Sequence, residues 1–270
     1  MKPCIDGRPG ESVDWRDRGL HYGDGVFETM RVRRRGVRLL DYHMDRLAEA
    51  CGRLRFAPPD ISRLRKELAR MAAKRPEGVL KLIVTRGIGT RGYRPSGREK
   101  PSRILALHPL PRSVQVDPAR LRMCAMRLGC NEALAGLKTL NRLESVLARA
   151  EWTDPAVWEG LMRDGDDNIV CGTMSNFFLR RGSSLITPLL DRCGVAGVMR
   201  RWVLGRAAEL RLRVRQDRVR WSDVAAADEA FMTNAIVGVV PVAAIQHGRA
   251  RARFAEFEAS REFKRLLEAL

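Results

Sequence analysis

The residues from 171 to 200 include Cys171-Gly172-Thr173-Met174-Ser175-Asn176-Phe177-Phe178, then a gap of six residues. Leu185-Ile186-Thr187-Pro188 follows, and later Gly194-Val195-Ala196-Gly197-Val198-Met199-Arg200. Phe177 to Leu179 and Leu185 to Thr187 are short apolar runs of the strand-forming kind. A helix starts near Gly197, so the unpaired amides of its first turn and its dipole can face an anion. An ordinary glycine-opened helix would read the same way, and at this point both remain open.

Working outward, strands are expected at Glu229 to Thr233 and Val237 to Ile245, and a closing helix from about Phe254. Upstream lie a strand near Leu121 to Leu128 and a helix from Asn141 to Trp152 with Leu143, Val146, Leu147 and Ala150 on one face. A strand over Glu159 to Arg163 comes after it. In the first half, Val26 to Val32 alternates as a strand, Arg34-Arg35-Gly36 turns, and Val37 to Leu40 returns. Met44, Leu47, Ala48, Cys51 and Leu54 give a helix from Asp41, which Pro58-Pro59 stops. A second helix from about Ile61 precedes strands Val79 to Thr85 and Ile104 to Leu107, which flank the glycine-rich loop Gly87 to Tyr93. This pattern predicts a mixed α/β chain of the α+β type.

A chain of 270 residues has room for two modest domains. Composition turns to proline and polar residues around Pro109 to Pro118, which places an α/β domain at 1–110, a linker at 111–118 and a second α/β domain at 119–270. The six cysteines follow no C-x-x-C spacing, and no basic-then-apolar leader opens the chain. The expectation is a reduced cytoplasmic protein. Apolar stretches such as Ala235 to Ile245 fall short of the roughly 18 residues a membrane helix needs. His21, His43, His108 and His247 have no metal-ligand spacing, so no metal is assigned.

The formal charge is +18, and 43 of the 50 basic residues are arginine. They are spread along the chain, the richest runs being Arg31 to Arg38 and Arg211 to Arg220. Genome base composition can produce such a bias, so no specific nucleic-acid role is assigned. A field of this sign still steers a small anionic substrate. Lys138 follows Ala135-Gly136 and precedes an apolar helix. On the residues alone it is either a solvated lysine or an amine whose proton affinity an apolar wall lowers, which could then bond an aldehyde.

Three segments together resemble the class IV aminotransferase family, the fold-type IV pyridoxal phosphate enzymes. They are the stretch quoted above, Arg18 to Thr29 with His43-Met44-Asp45-Arg46-Leu47, and Ala135 to Glu144. Gly78 to Gly87, Arg91-Gly92-Tyr93 and Gly136 to Glu144 look most like the branch that splits 4-amino-4-deoxychorismate into p-aminobenzoate and pyruvate. A D-amino-acid or branched-chain aminotransferase is the alternative, and a non-catalytic basic binding protein the third.

The resemblance implies a two-domain fold, a homodimer, and pyridoxal 5'-phosphate held mostly by the second domain. Lys138 is then the lysine that bonds the cofactor's aldehyde. Arg46, Gly197, Val198 and Met199 would hold phosphate, and Asn176, Asn234 and Ala235 would also touch the cofactor. Cys171 stands where the family usually has a glutamate on the pyridine nitrogen. A thiol, with an ordinary pKa of about 8.5, holds that proton weakly. This favours a reaction whose electrons leave through the substrate over one that stores them in the ring. Tyr93, Arg91 and Arg103 are the candidates for the substrate carboxylates.

Overall fold

The computed structural model describes residues 2–34, 36–111 and 117–270, and the chain forms two compact units. The first is Met1–Arg112 with Leu137–Asn141, and the second is Ser113–Gly136 with Arg142–Leu270. The expected linker at 111–118 falls mostly on 112–116, outside the described residues, as does Arg35 of the expected turn.

In the first unit β1 (Cys4–Ile5), β2 (Arg8–Pro9) and α1 (Arg18–Tyr22) precede β3 (Gly25–Arg33) and β4 (Gly36–Val37). Then come α2 (Leu40–Arg53), α3 (Ile61–Ala72), β5 (Glu77–Thr85) and β6 (Ser102–His108). The strands form an antiparallel sheet in the order β2-β1-β6-β5-β3-β4. Val26 pairs with Val84, Met30 with Leu80, and Leu82 with Leu105. Alternation puts these side chains on one face, where Met44 and Leu47 of α2 and Leu64 and Leu68 of α3 cover them. Each fully buried side chain of this size stabilises the fold by about 1.5–3 kcal/mol. The return strand expected over Val37 to Leu40 is cut short because Leu39, at φ 54°, takes a left-handed conformation just before α2. Asp60 accepts from Arg63 N and caps α3.

The second unit opens with β7 (Ala119–Arg127), α4 (Leu143–Arg149), β8 (Glu159–Arg163), β9 (Ile169–Gly172), β10 (Asn176–Arg181) and β11 (Ser184–Pro188). It continues through α5 (Val198–Arg206), β12 (Arg213–Asp217), α6 (Trp221–Ala225), β13 (Glu229–Asn234), β14 (Gly238–His247), β15 (Ala250–Arg253) and α7 (Glu258–Glu268). The sheet runs β12-β11-β10-β13-β14-β7-β8-β9, with β15 on β14. Pairing is mixed, parallel at β11/β12, β14/β7 and β7/β8. Phe178 stacks on Phe231 with centroids 4.9 Å apart, and Phe263 of α7 meets both Phe231 and Trp202 of α5. This aromatic packing fixes α5, whose first turn matters below. The helix expected from Asn141 to Trp152 is shorter, because Arg142 has non-helical φ −124° and ψ 19°.

Candidate functional site

Lys138 belongs to a short segment laid along the start of β3. Phe27 N donates to Lys138 O and Leu140 N to Gly25 O, both at 3.0 Å, with Val26 facing Thr139. That register sends Lys138 to the same side as Phe27, and its Nζ lies 4.1 Å from the centroid of the Phe27 ring. The ring removes water from one side of the amine while its π face attracts the charged form. Lys81 also approaches this ring, its Nζ 5.4 Å from the centroid.

Arg46 on α2 is not a surface residue. Its Nε donates to Glu28 Oε1 at 2.8 Å, a terminal nitrogen donates to Glu28 Oε2, and His43 Nδ1 lies 2.6 Å from Oε2. Glu28 is 2% exposed. Burial raises its proton affinity, but the Arg46 charge and the His43 and Arg46 hydrogen bonds outweigh it and hold the carboxyl at about 2. Burial likewise holds His43 below the usual histidine range, so the neutral ring donates from Nδ1. The carboxylate thereby fixes the plane of the Arg46 fork. Glu28 was not singled out in the sequence, although a carboxylate between Val26 and Met30 on an apolar strand face is the signal that finds it.

In the second unit, Asn176 on β10 is paired with Thr233 on β13. Asn176 Oδ1 accepts from Gly197 N at 3.1 Å, and its Nδ2 donates to Val195 O at 2.8 Å. A Cβ at Gly197 would collide with Asn176 Oδ1, so the loop closes on the amide only because position 197 is glycine. Gly136 N donates to Gly194 O and Ala196 N to Gly136 O, which ties the loop from its other side. Gly197 caps α5 without a side-chain bond, leaving Val198 and Met199 in the first turn. Thr233 is fully buried, and its Oγ1 has no hydrogen-bond partner. An orphaned buried hydroxyl beside a helix N-terminus suits a strong acceptor anion such as phosphate. Asn234 Oδ1 accepts from Ile236 N and Val237 N, turning the chain so that Ala235 lies at the bend.

Cys171, on β9, is 8% exposed and borders the same loop, since a Cβ on Gly194 would come 3.9 Å from its Sγ. Burial, with Glu159 nearby, pushes the thiol up to about 12, and the Arg142 guanidinium pulls only partly the other way. The thiol is neutral at pH 7. Glu159, unmarked in the sequence reading, is fully buried on β8. It accepts from Thr173 N and Oγ1, Met174 N, Ser175 Oγ and Gly160 N. Burial raises its pKa against the pull of those donors. Its work is to pin the turn between Cys171 and Asn176.

The substrate-side expectations fare differently. Arg103, in register opposite Val84, lies on the helix-covered face, where its Nε and a terminal nitrogen each donate to Glu67 at 3.0 Å. It is therefore committed to α3 and lies on the face opposite Lys138. Tyr93 is 86% exposed and lies 5.4 Å from the Tyr22 ring, and Arg91 is exposed in the same loop. Among the described residues no group of three or more His, Cys, Asp or Glu converges as a metal site. No helix there is long and apolar enough to cross a membrane.

The family model for amino-transferase class IV matches residues 25–245. Aminodeoxychorismate lyase of Vibrio harveyi is 32% identical over 244 residues, 89% of this chain and 90% of that protein. A putative branched-chain-amino-acid aminotransferase of Methanocaldococcus jannaschii is 30% identical over 253 residues, 90% of this chain and 87% of that protein. The crystal structure of 4-amino-4-deoxychorismate lyase from Pseudomonas aeruginosa superposes with a TM-score of 0.91 at 44% identity, covering 99% of this chain and 98% of that one. The two-unit mixed architecture, the loop at Gly194 to Gly197 and these matches agree: this chain belongs to the class IV aminotransferase family.

Proposed function

We propose that this protein is a pyridoxal 5'-phosphate-dependent lyase that converts 4-amino-4-deoxychorismate to p-aminobenzoate and pyruvate. The observation that carries this reading is the 44% identity, over almost the whole of both chains, to the Pseudomonas aeruginosa lyase. The residues present fit the cofactor. In the second unit the orphaned Thr233 hydroxyl, the amides of Gly197, Val198 and Met199, and the Asn234-Ala235 bend supply donors for phosphate; the resemblance gives Arg46, in the first unit, a phosphate role of its own. Asn176 holds the loop, and Lys138 is the amine that receives the aldehyde.

When bound, pyridoxal phosphate supplies that aldehyde and a ring that draws electrons from the amine-bearing carbon of the substrate. Lys138 would take the proton from that carbon and deliver one to the methylene of the departing enolpyruvyl group. One flexible amine beside Phe27 can serve both steps. Departure of pyruvate leaves an aromatic ring, so electrons need not be stored for long. The neutral Cys171 thiol fits this demand, since a weak hold on the pyridine nitrogen suffices.

The homodimer expected from the resemblance gives a place to the apolar row on α4, where Leu143, Val146 and Leu147 are 77%, 60% and 57% exposed. A reduced, cytoplasmic setting accords with six free cysteines. The test is borohydride reduction of the cofactor-loaded protein, peptide mapping, and turnover with and without an α-keto acid. A label on Lys138 with turnover independent of keto acid supports the lyase. Keto-acid dependence replaces it with an aminotransferase.

A further inference from the structure

Two of the six free cysteines lie side by side next to the loop at Gly194. Cys130, just past the end of β7, is exposed, whereas Cys193 is buried. Asn131 N donates to Arg192 O at 2.7 Å, which holds the two segments together one residue away from each cysteine. The side chains meet as well: the Cys193 thiol donates a hydrogen bond to Cys130 Sγ. Burial, then the neighbouring Cys130 and Cys171, push Cys193 up to about 12, so it stays protonated. Arg192, whose guanidinium donates to Asp166 at 2.5 Å, is within electrostatic reach of Cys130. One thiol of the pair is thus open to solvent, and the other waits behind it.

Cys193 packs in an apolar cluster with Leu128, Val170, Cys171 and Leu190. Gly194, the next residue, has φ 85°, and a Cβ there would come 2.8 Å from Val170 Cγ1 and 2.9 Å from Leu190 Cδ2. The chain has no slack on that side. Gly194 O accepts from Gly136 N, and Gly197 N donates to Asn176 Oδ1, so a shift of Cys193 passes along a loop that is held at both ends. Closing a disulfide draws two sulfurs inside their contact distance, which pulls Cys193 out of its cluster toward the surface.

We propose that Cys130 and Cys193 form a peroxide-sensitive thiol pair, whose disulfide pulls on the loop at Gly194 and loosens its hold on the cofactor phosphate. The loosening rests on the cofactor reading above, and the bond itself does not. Cys130, as thiolate, attacks one oxygen of hydrogen peroxide. The O–O bond breaks, hydroxide leaves, and Cys130 becomes a sulfenic acid. The Cys193 sulfur then attacks Cys130 Sγ, and its proton leaves with the departing hydroxide as water. Two thiols lose two electrons in all, and one peroxide is reduced to two waters.

The test exposes the parent and Cys130→Ser to hydrogen peroxide, counts free thiols, maps cross-linked peptides, and titrates pyridoxal phosphate before oxidation, after it, and after a dithiol reductant. The parent loses two of its six thiols to one bond between Cys130 and Cys193. Its cofactor affinity falls about three- to tenfold and returns on reduction. Cys130→Ser binds cofactor as the reduced parent does, forms no cross-link, and keeps its affinity in peroxide. A sulfenic or sulfinic Cys130 without a cross-link overturns the pair, and so does a bond from Cys193 to Cys171 instead. A Cys130–Cys193 bond that leaves cofactor affinity unchanged overturns the coupling to the loop. A reduced parent that binds no pyridoxal phosphate yet closes this bond in peroxide keeps the pair and overturns the cofactor reading.

Discussion

Lys138 and Lys81 share one aromatic ring: their Nζ atoms lie 4.1 Å and 5.4 Å from the centroid of Phe27. Lys138 arrives from the segment beside the start of β3, and Lys81 from β5. Both amines therefore stand on one sheet face within reach of one site, and only one of them is expected to carry the cofactor. Lys138→Ala should remove the borohydride-fixed pyridoxyl label and nearly all turnover. Lys81→Ala should keep the label. Peptide mapping decides this, and a label on Lys81 in the parent would sink the assignment of Lys138.

Arg46 and Glu28 form an ion pair with little exposure, so Arg46→Ala has two consequences. It leaves Glu28 buried with its main counter-charge gone, which costs about 3–5 kcal/mol. On the phosphate role proposed for Arg46, it also lowers cofactor affinity about 10- to 100-fold. Glu28→Gln combined with Arg46→Ala should recover part of the stability and none of the affinity. Denaturant melts and cofactor titration separate the two effects. A stable Arg46→Ala variant with parental affinity would contradict both.

The same cluster makes the first unit acid-sensitive. Burial keeps His43 below its ordinary 6.5, so the unfolded chain binds its proton first as pH falls through that value. Glu28, held at about 2 against an ordinary 4.5, stabilises the fold above 4.5 and loses that contribution as pH falls toward 2. Both signs agree. Melting temperature should drop on acidification in two stages, first below 6.5 and then below 4.5. His43→Gln should flatten the first stage and leave the second, and an unaltered profile in that variant would show that His43 is not the group responsible.

The sheets and main helices were legible where alternation or helical spacing was strong, as in Val26 to Val32 and Asp41 to Leu54. Elements set by tertiary pairing were not. Arg213–Asp217 is exposed along its whole length, shows no apolar alternation, and is a strand only because it pairs in parallel with Ser184–Pro188. Ile169–Gly172 is buried at all four positions, so no period appears. For the site, spacing and resemblance marked Lys138, Arg46 and the loop at Gly197. The run Arg31 to Arg38 was visible only as charge. It takes the register of β5 with β6 to show that Arg103 lies on the helix-covered face beside Glu67.

Cys171 tests how the electrons leave. With its thiol pushed up to about 12 and neutral, Cys171→Ala should keep p-aminobenzoate formation within about tenfold of the parent, or 1.4 kcal/mol in the barrier. Cys171→Glu places a carboxylate next to Arg142 and should raise side transamination, read as keto-acid-dependent half-reactions. Collapse of lyase turnover in Cys171→Ala with cofactor fully bound would mean that the thiol does the work of a carboxylate.

The most direct measurement is product release from 4-amino-4-deoxychorismate by the cofactor-loaded protein, with p-aminobenzoate and pyruvate quantified in the same reaction. A lyase gives the two in one-to-one ratio, at a rate unaffected by added α-keto acid and lost in Lys138→Ala. No p-aminobenzoate from the parent, alongside keto-acid-dependent amino transfer from an amino acid, would contradict it.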